Sequence, residues 1–454
     1  MLSILEVSER GYSGPRMTKD DFDVEEIVMK VAELVDEYDL TWDRDELIVT
    51  DAAKLDRFFL AGRALLVSAG VYNQSTGRVI RFSEAEIDAA ASSAPRTLKM
   101  GSGADAVELF ARKAEDVRRP LVTAGNPGCP MTPHEFAGTV ESWAREPGID
   151  LLTCGSIVEI DGHPVRNSEP SEVLAVRHEL ETLNRICREV GRPFMGRLAG
   201  ESSVSDTGDL ASMAEGLIRP GDAHLVALNN ELITNRDNLV RAANAVGSRV
   251  KNASLACVMV EGLAGNAAGA ALTMIASMLA ARVLYGADYH LCHPIHLRHI
   301  ATGAPGCLFV QSVTCQAFER NAPAIIVGDI YPRSGAGTKE LLYEVAASSL
   351  LLTVSGGHLE GVGSCDGLKP HCSPLEVRLM ADVGRKVTEL GLTRRDAMPL
   401  LTSLVSRYEG ILAGGNEGQH FDAVYDREAG RAKPFWQNMY EEVLQDLSTL
   451  GLCL

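Results

Sequence analysis

The sequence predicts an α/β protein, a (β/α)8 TIM barrel with helical N-terminal and C-terminal extensions. Three observations predict it. Between Pro120 and Gly361, eight short apolar runs ending in Gly, Asn or Pro alternate with longer stretches of helical spacing. No strand end reads GxGxxG or GxxxxGK[ST], so an open nucleotide-binding sheet loses ground. The chain on either side of this region carries helix-start signals.

Residues 1–118 read as a helical extension. Thr18-Lys19-Asp20-Asp21 and Ser83-Glu84-Ala85-Glu86 are capping-box patterns, and Ile27, Val31, Leu34 and Val35 form an apolar stripe. Residues 119–372 form the barrel. Its strand candidates are 120–128, 151–162, 193–200, 224–232, 254–265, 287–297, 324–335 and 350–361. The first is followed by a helix opening at Thr132-Pro133 with Glu135 closing the cap. Further helices are expected at 171–191, 208–217, 235–246 and 266–285. From Ser373-Pro374-Leu375-Glu376 onward, residues 373–454 read as helices packed on the barrel.

The chain has 454 residues, 46% of them hydrophobic, which is ample for a large core. Forty-three basic against 61 acidic residues give a net charge of −18, which argues against nucleic acid or an anionic membrane as a partner. The N-terminus, broken by Glu and Arg, does not read as a signal peptide. The apolar stretch from Ala267 to Ala281 is too short to span a bilayer and ends at Arg282. Ten cysteines without a CxxC pair point to a reducing, cytoplasmic setting.

A barrel of this kind works at the carboxyl ends of its strands. The polar residues expected there include Asn126, Glu201, Asn229, Glu231 and Glu261. Later strands add His290, His293, His296, Arg298, Asp329, Tyr331, Arg333, His358 and Glu360. His290, Cys292 and His296 alternate onto one face of a strand, and His293 points to the other. Three such groups beside a barrel mouth could hold zinc with one position open, or serve as ordinary core and hydrogen-bonding residues. Asp329, Tyr331 and Arg333 alternate on one side of the seventh strand end, a pattern that suits a carboxylate ligand or an internal ion pair. No Ser-His-Asp order, HExxH helix or Schiff-base lysine stands out.

The segment Gly191-Arg192-Pro193-Phe194-Met195-Gly196-Arg197-Leu198-Ala199-Gly200-Glu201-Ser202-Ser203 resembles the pyrrolysine-bearing strand of monomethylamine methyltransferases. Similarity runs along essentially the whole chain, from Thr18–Asp23 through Ser171–Ala175, Pro294–Arg298 and Leu375–Met380 to Leu450–Leu452. The resemblance implies a (β/α)8 barrel that assembles as a homo-oligomer. It also implies methyl transfer to the cobalt of a corrinoid (cobalamin) carried by a separate protein. This chain has no DxHxxG signature of its own: Asp288-Tyr289-His290 begins like one, but His293 stands in place of the Gly.

Departures from the family are specific. Leu198 stands at the pyrrolysine position and offers no electrophile. The family's acidic pair after the fifth strand falls at Ala267 and Ala268, and a glutamine after the seventh at Ile330. Together these imply a pocket rebuilt for different chemistry. His290, His296 and Arg298 match family residues, whereas Cys292 and His293 replace an Asp and a Gly.

The expected function is methyl transfer without pyrrolysine, from a small methylated compound such as a tertiary or quaternary amine to a corrinoid protein. A quaternary ammonium needs no imine, because its leaving group departs neutral. Glu201, Glu231, His290, His296 and Arg298 are the expected catalytic residues. Leu198, Asn229, Glu261, Asp329, Tyr331, Arg333 and His358 are expected to line the substrate, and zinc would sit at His290, Cys292 and His296. The alternative is a barrel turned to lyase, hydrolase or small-cation-binding work.

Overall fold

The computed structural model describes residues 2–126, 128–153, 155–199, 205–229, 231–363 and 365–454. Eight parallel strands form its centre: β1 (Val122–Ala124), β2 (Leu151–Thr153), β3 (Gly196–Ala199), β4 (Ala223–Leu228), β5 (Lys251–Val260), β6 (Tyr289–His296), β7 (Ile326–Ile330) and β8 (His358–Gly361). Their order, β3-β2-β1-β8-β7-β6-β5-β4, is the cyclic order of a (β/α)8 barrel. Between β3 and β4 the wall is joined by side chains. The Arg197 backbone N–H donates to Asp222 Oδ1 (3.1 Å), and Arg219 reaches the carbonyls of Pro193 and Met195 (2.7 Å each).

Each strand is followed by a helix: α1 (Pro133–Ala144), α2 (Pro170–Glu189), α3 (Asp206–Ser212), α4 (Arg236–Ser248), α5 (Ala267–Tyr285), α6 (Pro305–Asn321), α7 (Lys339–Ser355) and α8 (Pro374–Glu389). The expected cap at Thr132 is present, with Glu135 returning to the Thr132 N–H at 2.8 Å. Helix α5 is long and apolar enough to cross a membrane by length and composition, yet every residue of it is buried. A second layer, the helix Ala52–Ala69, explains this. Gly62 packs so closely on α5 that a Cβ there would stand 2.7 Å from the Leu272 carbonyl. A helix covered on both sides is apolar all round.

Two expectations need correction. Residues 1–118 are not helical throughout: Val71–Asn73 pairs antiparallel with Arg78–Ile80, and Thr97–Met100 with Val107–Phe110. Strands of three or four residues are too short to display alternation against the helical background. The second hairpin closes the amino-terminal end of the barrel, placing Met100 and Leu109 in the same buried cluster as Leu121, Leu151 and Val327. The apolar run 350–361 is split as well. Its first half finishes α7, Gly356 turns the chain with φ of 93°, and only His358–Gly361 is strand.

Candidate active site

Side chains alternate across the barrel wall, so each strand offers one row to the lumen and one to the helices. The lower lumen is apolar. Leu198, fully buried, packs there with Leu151, Leu225, Tyr289, Leu291 and Val327, and the Tyr289 hydroxyl donates to the Leu198 carbonyl.

Above this floor the inward positions turn polar. Glu360 on β8 is in register with Asp329 on β7 and Thr123 on β1, and Cys257 on β5 with His293 on β6. Asp329 Oδ1 accepts from Asn126 Nδ2 at 3.0 Å, and its Oδ2 accepts from His293 Nδ1. Asn126 is itself fixed, since its Oδ1 accepts the Gly363 N–H at 2.5 Å. The His293 ring meets Tyr331 edge-on, with centroids 5.0 Å apart. From outside the wall, Gln311 of α6 donates to the Asp329 carbonyl at 2.9 Å, which steadies the strand.

Glu360 differs from Asp329. Its two carboxyl oxygens lie together with Thr153 Oγ1 in the interior, and the carboxyl hydrogen-bonds with Asp329 and Thr153. All three atoms are buried. Burial first, and then the neighbouring Asp329 charge, hold the Glu360 carboxyl well above the ordinary range, so the proton stays on. Burial also pushes the Cys257 thiol up to about 12. The layer combines a neutral acid with a carboxylate held by His293 and Asn126. That arrangement suits a small cation.

The sequence-predicted residues divide among several places. Only Leu198 and Asp329 belong to the lumen floor and its polar layer, with Tyr331 half-buried against His293. Asn229, at the end of β4, is exposed. Glu231 is buried, its Oε1 accepting the Met259 N–H at 3.2 Å, and burial raises its carboxyl. Glu201 lies outside the described residues.

The metal expectation fails on geometry. His290 and Cys292 are on the outer row of β6. His290 Nδ1 meets Ser254 Oγ at 2.7 Å, its ring lies against Phe318, and burial lowers its imidazole to about 3. Cys292 faces Thr314 and Cys315 of α6, and burial pushes its thiol well up. Neighbouring outward residues on a strand are about 7 Å apart, and these three turn to different partners. Among the described residues no three His, Cys, Asp or Glu side chains gather as a metal site.

His296, Arg298 and Glu261 form a cluster on the rim, outside the wall. Arg298 Nη2 bonds Glu261 Oε2 at 2.6 Å, and His296 stacks on His299 with centroids 4.2 Å apart. His296 and Glu261 border a cleft of about 340 Å³ together with Trp42 and Ala267. Ala267 and Ala268 open α5, and Ile330 packs in the core between barrel and helices. These three apolar positions therefore do not report a rebuilt lumen.

Arg333 is engaged by Asp366 (3.0 Å), and its backbone N–H by Glu344 Oε2 (2.8 Å). His358 sits at the far end of β8 from the mouth. Its Nδ1 accepts the Leu121 N–H (2.9 Å), so Nε2 carries the proton and donates to the Phe110 carbonyl (2.7 Å). Burial lowers it to about 3, and it is a structural residue.

Sequence reasoning collected Asn126, His293 and Glu360 as polar residues at strand ends but gave them no role, and it did not single out Thr153 or Cys257. One signal was available: Asp329 is an acid in the otherwise apolar run IVGDI, and both Asp329 and Glu360 stand at the last inward position of their strands.

The profile of the family described as Monomethylamine methyltransferase MtmB matches residues 2–452. Monomethylamine methyltransferase MtmB2 of Methanosarcina acetivorans is 29% identical over 452 residues, covering 98% of this chain and 97% of the relative. MtmB of Methanosarcina mazei is also 29% identical, with the same coverage. The crystal structure of the Methanosarcina barkeri monomethylamine methyltransferase superposes with a TM-score of 0.96 at 28% identity, covering 99% of this chain and 98% of that one. The structure of the hydroxylamine complex of MtmB matches equally well. Strand order, helical shell and a match along almost the entire length agree: the chain is a member of the monomethylamine methyltransferase family.

Proposed function

We propose that this chain is the substrate-specific component of a corrinoid-dependent methyl-transfer system. It moves a methyl group from a small tertiary or quaternary methylamine to a corrinoid carried by a partner protein, without pyrrolysine. The observation that carries the reading is the full-length family match combined with Leu198, which packs as a hydrocarbon in the lumen floor. A donor that reacts without an imine must already carry its activating charge, and an ammonium nitrogen does so because it leaves as a neutral amine. Asp329, backed by His293 and Asn126, supplies the counter-charge. Tyr331 stands edge-on to His293, and Glu231 steadies β5 through the Met259 N–H.

The corrinoid enters as a co-substrate. The chain's own Asp288-Tyr289-His290 does not suit cobalt ligation, since Tyr289 is turned into the lumen floor and His290 is buried against the helices. We also read the chain as a cytoplasmic homo-oligomer that binds neither nucleic acid nor membrane, with 1–118 and 373–454 bracing the barrel 119–372. Nine described cysteines free of disulfides support the reducing compartment.

The test is methyl transfer to a cob(I)alamin acceptor from methylamine, dimethylamine, trimethylamine and tetramethylammonium. We expect methylcobalamin from at least one tertiary or quaternary donor. Its absence with every donor, where a Methanosarcina relative is active, would overturn the proposal.

A further inference from the structure

We propose that His293 Nε2 is a nucleophile, which takes the methyl group from the donor and carries it as a methylimidazolium before it passes to the corrinoid. The proposal rests on the methyl-transfer reading and adds a covalent step to it.

His293 stands on the inward row of β6, in register with Cys257 on β5 and bonded to Asp329 on β7. Its Nδ1 faces the Asp329 carboxylate, which also accepts from Asn126 Nδ2 and hydrogen-bonds with the Glu360 carboxyl. A carboxylate has no hydrogen to give, so Nδ1 carries the ring proton and Nε2 holds the lone pair of the neutral ring. Among the described residues Nε2 makes no hydrogen bond, and the ring's aromatic neighbour is Tyr331, met edge-on. The His293 side chain is 7% exposed against 1% for Asp329, so the ring is more open to a small molecule than the carboxylate is.

The surroundings favour a lone pair over a proton as what the ring supplies. The nitrogen of a tertiary or quaternary ammonium leaves as a neutral amine, so the reaction asks for no acid or base. The other groups of the layer are poor nucleophiles: Glu360 keeps its proton, and the Cys257 thiol, pushed up to about 12, stays protonated. Leu198 has no reactive atom. A neutral His293 also leaves Asp329 its charge for the incoming cation. Methylation then moves positive charge from the donor to the ring, where Asp329 already holds Nδ1. A buried carboxylate serves a reacting histidine in this way, fixing its tautomer and stabilising the cation that forms.

The two steps balance. In the first, the donor's C–N bond breaks, its electron pair stays on the departing amine, and the Nε2 lone pair forms the new N–C bond. In the second, the methyl group passes to cobalt(I) of the corrinoid partner, which is oxidised to cobalt(III) while the N–C pair returns to Nε2. No proton moves and no further reagent is consumed. An imidazole is a weaker base than an alkylamine and hence a better leaving group, so the ring hands the methyl on more readily than the donor does.

The experiment incubates the full chain with trimethylammonium and tetramethylammonium bearing trideuteromethyl groups, without a corrinoid acceptor, and locates the label by proteolysis and mass spectrometry. We expect the label on His293 of the wild type and its loss in His293→Gly. Imidazole added to that variant should leave as labelled N-methylimidazole. A second measurement uses donors with a chiral methyl group and cob(I)alamin as acceptor: two displacements give net retention, and one gives inversion. Absence of label on wild-type His293 with both donors overturns the proposal, whether or not the variant folds. So does net inversion, which leaves the transfer reading standing. Label on His293 that no corrinoid acceptor removes supports the nucleophile and sinks the transfer reading.

Discussion

The barrel lumen and the barrel rim each hold carboxyl groups beside a histidine, and they differ in what surrounds them. On the rim, Glu261 is 40% exposed and paired with Arg298, itself 74% exposed. In the lumen, Glu360 and Asp329 are buried together with no arginine or lysine partner among the described residues. Water and a counter-ion stabilise the first arrangement at little cost. The second is unfavourable unless a proton or a ligand completes it. An acid that the fold buries without a partner marks the site more reliably than an acid near the mouth.

The largest effect should come from removing the lumen charge. Asp329→Asn should lower kcat/KM for methyl transfer by on the order of 10²-fold, the scale of losing a preorganised electrostatic group. It should leave the circular dichroism spectrum unchanged. Near-normal turnover of this variant would mean that the lumen and the rim do not differ in the way argued.

Next comes the floor beneath the pair. Leu198→Ala should destabilise the protein by about 2–5 kcal/mol, because a buried leucine side chain leaves a cavity. Urea unfolding measures this, and a loss under about 1 kcal/mol would place Leu198 outside the packed floor.

A third comparison uses a buried carboxyl that the fold does satisfy. Glu344 accepts the N–H groups of Arg333 (2.8 Å) and Ser334 (3.0 Å), and burial raises it from 4.5 to about 7. A raised carboxyl contributes its full stability below the unfolded value, and that contribution is lost as pH rises towards the folded value. Between pH 4.5 and about 7 the wild type should therefore lose stability relative to Glu344→Gln, by about 1.4 kcal/mol per pH unit. A parallel pair of stability curves would contradict it.

The smallest effect belongs to the rim. Arg298→Ala should change stability by under about 0.5 kcal/mol and turnover by less than about threefold, since exposed pairs contribute little. A large loss of turnover would move the working site towards the cleft beside His296 and Trp42.

Much of the fold was legible in the sequence. All eight strand candidates overlap a strand, because short apolar runs bounded by Gly, Asn or Pro alternate with capped helices. The bounds were legible only where a breaker stands, as Gly356 does between α7 and β8. The hairpin Thr97–Met100 with Val107–Phe110 escaped notice because it is brief, and its role in closing the barrel depends on contacts with distant strands.

The site was legible in part. Alternation on β6 separates His293 from His290, Cys292 and His296, and that separation is correct. Which row faces the lumen is a different matter. Parallel strands in a barrel are covered on both faces, so neither row is marked by polarity, and the outward row, with more potential ligands, drew the metal assignment.

By itself, the sequence determined the alternation of strand and helix in the barrel, the count of barrel strands, their parallel direction and the family, since these follow from local periodicity and from residues matched along the chain. Only the tertiary structure decided which side of each strand is inward and that Glu360 meets Asp329 across β8 and β7. These are facts about closure: curling the sheet brings residues far apart in the chain, Asn126 with Asp329 among them, to one buried layer whose hydrogen bonds no local pattern encodes.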